Sequence, residues 1–260
     1  MQKEKKVFNK YIDVHSHVLW DIDDGSKDIE ETISLCDMAS GSGTEQLFLT
    51  PHLIYWETAG DLLDEREWKT ERLAEILTEE DIKLQIHKGF EILCDDDIFD
   101  IKFFKPYTLC GSRYILIEFD FFKTFVEDVI SWCKYLTSFG LVPVIAHPER
   151  YQFFLSEEEV IDHLSEMGAL FQVNSGSAAG MFGSKVRRFA EKMINNGYAD
   201  FIGSDAHGLM MRNTDMDFCF NNYSDDIDIE LLKKAWYDNP MKIIKDEQIK
   251  ISRLSYFAEK

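Results

Sequence analysis

The chain of 260 residues is poor in cysteine, proline and basic side chains, and each shortage narrows what it can be. Its five cysteines, Cys36, Cys94, Cys110, Cys133 and Cys219, are odd in number and form no C-x-x-C pair. That speaks against a zinc knuckle or a disulfide framework and for scattered core thiols in a reducing compartment, so a soluble, cytoplasmic protein is expected. Five prolines and 14 glycines form no Pro-, Gly- or Ser-rich linker, and there is no low-complexity tract or solenoid repeat. No run approaches the ~18 apolar residues of a membrane span, and the basic, polar stretch from Met1 to Tyr11 is followed by no signal-peptide core. Lys and Arg total 28 against 48 Asp and Glu, a net charge of −20. That sign repels nucleic-acid backbones and anionic lipid, so neither is expected as a partner, and any anion must be handled at a local site.

Familiar catalytic signatures are missing too. No cysteine has an arginine six residues on, which excludes the thiol-phosphatase loop. Gly180 to Lys185 has the wrong spacing for a P-loop, and no G-x-S-x-G or G-x-G-x-x-G follows a strand.

What is present is a hydrophobic content of 45%, ample for a core, and a recurring architecture. Seven short β-rich runs end abruptly in polar residues: Tyr11–Val14, Leu47–Leu49, Leu84–Ile86 extending toward Phe90, Tyr114–Ile117, Leu141–Ala146, Leu170–Val173 and Asp200–Ile202. Helix-period stretches lie between them. Asp28 with Glu31, and Ser156 with Glu159, read as capping boxes. Leu62, Trp68, Leu73, Ile76 and Leu77 give the second helix an apolar face, as Val126, Val129, Ile130, Cys133 and Leu136 do for the fourth. Alternating units imply an α/β fold of parallel strands closed, or nearly closed, into a barrel. In the C-terminal segment 221–260, Leu231, Leu232, Ala235 and Trp236 predict a helix, Asn239-Pro240 a break, and then a short second helix. That segment either closes the barrel or forms a subunit contact.

The strand ends carry the chemistry. In order they present Asp13, His15 and His17; Thr50, Pro51 and His52; Glu91; Glu118; His147, Glu149 and Arg150; Asn174; Asp205 and His207. In a parallel barrel these ends share one face, where active sites are built. Five of the seven histidines stand there. His15 and His17, two apart, point to the same side of an extended chain, and Asp205 and His207 repeat that spacing. Imidazole with carboxylate and no thiolate suits Mn²⁺, Fe²⁺ or Zn²⁺, so a multinuclear metal site is expected. A lone strand-end acid or histidine is ordinarily structural, but that reading would have to hold separately at almost every strand. It is kept for His87 and for the mid-helix His163.

Asp13-Val14-His15-Ser16-His17, Asp23-Asp24-Gly25, Thr50-Pro51-His52, His147-Pro148-Glu149-Arg150-Tyr151 and Ser204-Asp205-Ala206-His207 resemble motifs of the PHP (polymerase and histidinol phosphatase) superfamily. Within it they look most like the bacterial capsule and exopolysaccharide protein-tyrosine phosphatases of the CpsB/YwqE type, from about residue 11 to residue 212. The resemblance implies one domain over 1–260, a distorted (β/α)7 TIM-like barrel, and three divalent ions, usually Mn²⁺. One ion would take His15, His17, Glu91 and Asp205. A second would share Glu91 and add Glu118 and His147, and a third would take Asp24, His52 and His207. Arg150 and Arg212 match two arginines that the family places near the substrate phosphate. The family pattern Thr-Pro-His-His ends here in Leu53, which puts a rim contact in doubt.

Three such ions would outweigh the four carboxylates Asp24, Glu91, Glu118 and Asp205, making a positive pocket in an acidic protein. Water bridging two ions loses a proton near neutrality, and the hydroxide would attack phosphorus in line. The implied substrate is phosphotyrosine on a protein, in this family the tyrosine-rich tail of a membrane-associated kinase. Tyr55, Trp56, Phe119, Phe121, Phe122, Tyr151, Phe153 and Phe154 follow strand ends and either line a cleft for the ring or pack the barrel rim. The rival readings are a histidinol-phosphatase-like phosphomonoesterase and, from another class, a non-catalytic metal-bound phosphopeptide-binding module. Family members form oligomers, so a homo-oligomer is compatible with this reading.

Overall fold

The structure, a computed structural model, describes residues 10–251, 253 and 257; the basic residues before Lys10 lie outside them. The strand segments are β1 (Tyr11–Asp13), β2 (Thr44–Leu49), β3 (His52–Leu53), β4 (Gln85–Lys88), β5 (Glu91–Leu93), β6 (Tyr114–Glu118), β7 (Val142–Ala146), β8 (Leu170–Asn174) and β9 (Phe201–Gly203). The seven expected strands are thus present, with the second divided into β2 and β3 and the third into β4 and β5. Pro51, which has no N–H to give, interrupts one, and Gly89-Phe90 interrupts the other.

Neither break disturbs the register. β2 pairs with β4 as far as Leu49–Lys88, and β3 resumes against β5 at His52–Glu91, an equal step on both strands. Across the gap Gly89 N donates to Leu49 O at 2.9 Å and Glu91 N to Pro51 O at 3.1 Å. The groups β1-β2-β4 and β3-β5-β6-β7-β8-β9 are therefore two parts of one curled parallel sheet. β9 returns to β1 through a single bridge, Ser16–Ala206, with Asp205 N on His15 O at 2.8 Å and His17 N on Ala206 O at 2.9 Å. The result is a distorted, incompletely closed barrel whose seam joins the two His-containing motifs.

Around it run α1 (Ile29–Gly41), α2 (Ala59–Glu79), α3 (Val126–Ser138), α4 (Gln152–Ser156), α5 (Glu159–Glu166), α6 (Ser175–Ala178), α7 (Ser184–Asn195), α8 (Met216–Asn221), α9 (Ile229–Lys233) and α10 (Asn239–Ile244). Strand alternation sorts the core. Ile115, Ile117, Ile145, Phe171 and Val173 pack with Val129, Cys133 and Leu136 of α3 and with Ile161 and Leu164 of α5. Tyr114, Leu116, Val144, Ala146, Leu170 and Phe201 form the inner cluster with Ile12, Val14 and Phe48. Ile243 and Ile249 join that inner cluster, and Tyr114 Oη donates to Glu247 O at 2.6 Å, so the segment around α10 covers the end of the barrel opposite the site.

Three local expectations are corrected. Asp28 does cap α1, accepting Glu31 N at 2.8 Å, but Ser156 caps nothing: it ends α4 and its hydroxyl donates to Gln152 O at 2.6 Å, leaving α5 to start without a side-chain cap. Trp68 is 52% exposed, outside the buried face that Leu73, Ile76 and Leu77 make, and its ring meets Trp20 edge-on at 5.8 Å. Asn239-Pro240 does not break the helix. The backbone widens into one π-helical turn over Lys234–Asp238, and α10 starts with Pro240 in its first turn, where a missing N–H costs nothing.

Candidate metal centre

Inward-facing positions at the site end of the barrel are polar. On β6 the inward series Tyr114, Leu116 ends in Glu118; on β8, Leu170 is followed by Gln172 and Asn174. His147 leaves this alternation because its backbone is left-handed (φ 35°), and Asp205 (φ 53°) and Arg212 (φ 52°) share that strained region. Such conformations cost about 1–3 kcal/mol each and persist where surrounding bonds fix them. Here His147 N donates to Gln172 O at 2.7 Å, and His207 N to Arg212 O at 2.7 Å.

Glu91 stands at the centre, fully buried. Its Oε2 has no hydrogen-bond partner, yet lies 3.1 Å from His15 Nε2, 3.2 Å from His17 Nε2 and 3.2 Å from His52 Nδ1. Its Oε1 faces His147 Nε2 at 2.9 Å. Three groups have ligand atoms lying within 4.8 Å of one another: His15, His17, Glu91 and Asp205; His17, Asp24, His52 and His207; and His52, Glu91 and Glu118. Eight of the nine residues expected to hold a metal fall in these groups, and the ninth, His147, reaches the cluster through Glu91 Oε1, so Glu91, Glu118 and His147 do not form a group of their own. The structure puts His52 beside Glu118, with His147 on the other oxygen of Glu91.

This donor set fits divalent cations. Burial would lower the His15 imidazole, but Glu91 and Asp205 outweigh it and raise its pKa to about 9; Glu91, Asp24 and Glu118 carry His52, against burial, to about 12. Glu91 is held well below the usual carboxylate range by His15 and His52 despite its burial, and Asp24 is lowered by His207 and His52. Carboxylates that draw protons this strongly onto imidazoles would draw a divalent ion in their place, releasing the protons.

Residues behind the cluster set its orientation. His15 Nδ1 donates to Gln172 Oε1 at 2.7 Å, Gln172 Nε2 to Asn174 Oδ1 at 3.0 Å, and Asn174 Nδ2 to Asp205 Oδ2 at 2.6 Å. This hydrogen-bonded series joins two of the candidate ligands and aims His15 Nε2 at Glu91. His17 Nδ1 donates likewise to Asp23 Oδ2 at 2.7 Å, and Asp23 also accepts Gly25 N at 2.9 Å and His52 N at 3.0 Å. A Cβ on Gly25 would lie 2.0 Å from His17 O, so the Asp-Asp-Gly turn admits no side chain there. No motif pointed to Gln172; its only sequence signal was its place two residues before Asn174 on an inward face.

Both arginines border the cluster. Arg150 Nη1 donates to Asp205 Oδ2 at 3.1 Å, and its guanidinium lies between Phe121 (5.1 Å) and Phe182 (4.9 Å). Arg212 donates to the other Asp205 oxygen and, through Nε, to Asp205 O at 3.0 Å. Of the two readings open for the strand-end aromatics, most take rim packing. Phe119, Tyr151 and Phe154 are buried, Phe153 stacks on Tyr151, and Trp56 packs on Phe104 and Tyr107, leaving Tyr55, Phe121 and Phe122 exposed. Leu53 is core, not rim. His87 bonds Gln46 away from the cluster, and His163 is exposed on α5.

Residues 11–245 match the family model for capsular polysaccharide synthesis, CpsB/CapC. The chain belongs to this family. It is 31% identical over 243 residues to CapC of Staphylococcus aureus, covering 92% of this chain and 90% of that one. It is 33% identical over 205 residues to the tyrosine-protein phosphatase YwqE of Bacillus subtilis, covering 78% and 79%. A chain among the crystal structures of Bacillus subtilis YwqE and Streptococcus pneumoniae CpsB, metal-dependent tyrosine phosphatases, matches with a TM-score of 0.79 at 28% identity, covering 94% of this chain and 97% of that one. The lactonase Lmo2620 of Listeria monocytogenes, at 13% identity and a TM-score of 0.56, shares the fold. No helix among the described residues is long and apolar enough to cross a membrane.

Proposed function

We propose that this CpsB/CapC-family chain, a metal-dependent protein-tyrosine phosphatase of the CpsB/YwqE type, holds three divalent ions, Mn²⁺ in the first place. His15, His17, Glu91 and Asp205 would hold one, Glu91, Glu118 and His147 a second, and Asp24, His52 and His207 the third. The observation that carries this reading is the convergence of imidazole and carboxylate on Glu91 in a chain whose relatives include tyrosine-protein phosphatases. Bound ions would supply a water activated for in-line attack and neutralise charge on the phosphoryl group.

The chain's own residues do the rest. Gln172 and Asp23 keep the Nε2 atoms of His15 and His17 turned into the site. Arg150 and Arg212, permanently charged and with planar donor edges, would bind phosphoryl oxygens. A phenolate leaving group with a pKa of ~10 departs more easily than an alkoxide, so strong general-acid assistance is less essential. The substrate we infer is a phosphotyrosine tail on a membrane-associated kinase of capsule or exopolysaccharide synthesis. A cytoplasmic location is the reading the unpaired cysteines favour.

The test is phosphate release from a phosphotyrosyl peptide by metal-stripped protein before and after Mn²⁺, with histidinol phosphate in parallel. Mn²⁺-dependent turnover favouring the peptide is expected. The opposite preference would replace the substrate class by a small phosphomonoester. Phosphopeptide binding without turnover would make the chain a binding module.

A further inference from the structure

One cavity opens directly onto the cluster. It measures about 450 Å³; its floor is made by the largely buried His52 and Glu118, and Asp23, the exposed Asp24 and Thr58 complete its polar lining. The rest of its wall is apolar: Ile22 from the turn after β1, Ile54 and Tyr55 from the segment after β3, Leu62 from α2 and Leu93 at the end of β5. Ile54 and Tyr55 are 40% and 61% exposed at the mouth, whereas Leu62 and Leu93 are half-buried deeper in. On the Arg150 side of the cluster, Phe121 is stacked on Tyr151 (4.8 Å) with the Arg150 guanidinium 5.1 Å from its ring.

Resting on the phosphatase reading above, we infer that the aryl ring of the substrate ester seats in this cavity, and that Ile54, Tyr55 and Leu62 select aryl over alkyl phosphates. A phosphoryl group at the floor leaves its ester substituent to run out along the wall. A phenyl ring there covers apolar surface and holds the peptide backbone a rigid ring-length away from the charged floor. A serine ester has one carbon in the same place. It would bring polar backbone against Leu62 and Leu93 without replacing the hydrogen bonds that water had made to it.

Calorimetric binding of phenylphosphonate and methylphosphonate to the Mn²⁺-loaded protein tests this without turnover. A preference for the phenyl compound of about tenfold is expected from a half-buried ring. Ile54→Ser with Leu62→Ser should cut that preference to about twofold or less and leave methylphosphonate affinity unchanged. The exposed Tyr55→Ser, which places no demand on folding, should cut it in part, and Leu62→Met should retain it. Equal affinity for the two phosphonates in the wild type, or variants that weaken both alike, would overturn the inference even if the protein hydrolyses phosphotyrosyl peptide. A phenyl preference lost in the variants, in a protein that releases no phosphate from the peptide, supports the cavity as an aryl-phosphate site and refutes the phosphatase reading instead.

Discussion

Gln172 is neutral and buried, and it belongs to no recognition motif, yet it sets which nitrogen of His15 faces Glu91. Replacing it by leucine keeps the volume and removes both hydrogen bonds, so His15 can rotate or change tautomer and Asn174 loses its donor. Mn²⁺ affinity of Gln172→Leu should fall by about 10–100-fold, as for other groups that orient metal ligands; equilibrium dialysis with metal analysis reads it, and an unchanged affinity would make the Gln172 chain a packing feature only. His87 shows the opposite kind of histidine. Burial lowers its pKa from 6.5 to about 4, with Gln46 as its partner at 2.7 Å. Between those values the unfolded chain takes up a proton that the folded chain refuses, so the stability His87 contributes is complete above 6.5 and is lost as pH falls toward 4. His87→Gln should therefore lose less melting temperature than the wild type between pH 7 and pH 5, the effect being a difference between two curves taken on metal-free protein.

At the scale of elements, the seam between β1 and β9 has too little ladder to stand alone, and side chains complete it. Asp13 Oδ1 accepts Ser204 N at 2.9 Å and His15 N at 3.2 Å, and a Cβ on Gly203 would sit 2.7 Å from that of His15. Strand contact and ligand placement are thus one arrangement, which is why the His-x-His and Asp-x-His motifs lie face to face. Helix ends follow simpler rules. Asp28 accepts Glu31 N at 2.8 Å while Glu31 reaches back to Lys27 N at 3.0 Å, one residue earlier than the reciprocal pattern expected. Asp28→Ala should cost about 1 kcal/mol in urea denaturation, with metal affinity unchanged. A Ser156→Ala substitution should cost nothing of that kind, because Ser156 bonds the carbonyl of its own helix.

Across the whole molecule, the two barrel ends are divided between chemistry and closure. The far end is held by Arg253, whose Nη1 meets both oxygens of Asp200 at 3.0 Å and Gly197 O at 2.9 Å, and whose Nε donates to Ser165 Oγ at 2.7 Å. Both side chains are 6% exposed. Arg253→Met leaves the Asp200 carboxylate buried without its cation and should cost about 3–5 kcal/mol; adding Asp200→Asn should recover much of it. Activity per folded molecule should not change, since the pair lies at the closed end. A loss of turnover in fully folded Arg253→Met would mean that the two ends are coupled. The near end concentrates the proposed metal ligands, and bound cations there would give a protein of net charge −20 a local site for an anionic substrate.

The alternation of β runs and helices, the strand ends that carry ligands and the family motifs were legible in the amino-acid order, because periodicity and strand termini are local properties. The helix faces were mostly legible as well, with Val129, Cys133 and Leu136 buried as their spacing predicts. At Ser156, Trp68 and Pro240 a neighbouring segment overrides the local signal: a preceding helix, a surface contact with Trp20, a widened turn. The continuity of the sheet across Pro51 and Gly89 and the division of Glu91 between His147 and the other imidazoles depend on the tertiary structure alone. So do the burial of most rim aromatics and the apolar wall beside Asp24. These join residues far apart in the chain, such as His15 and Gln172, whose meeting depends on how a curled sheet closes. Local sequence limits that closure to a few arrangements, and packing against the helices selects one.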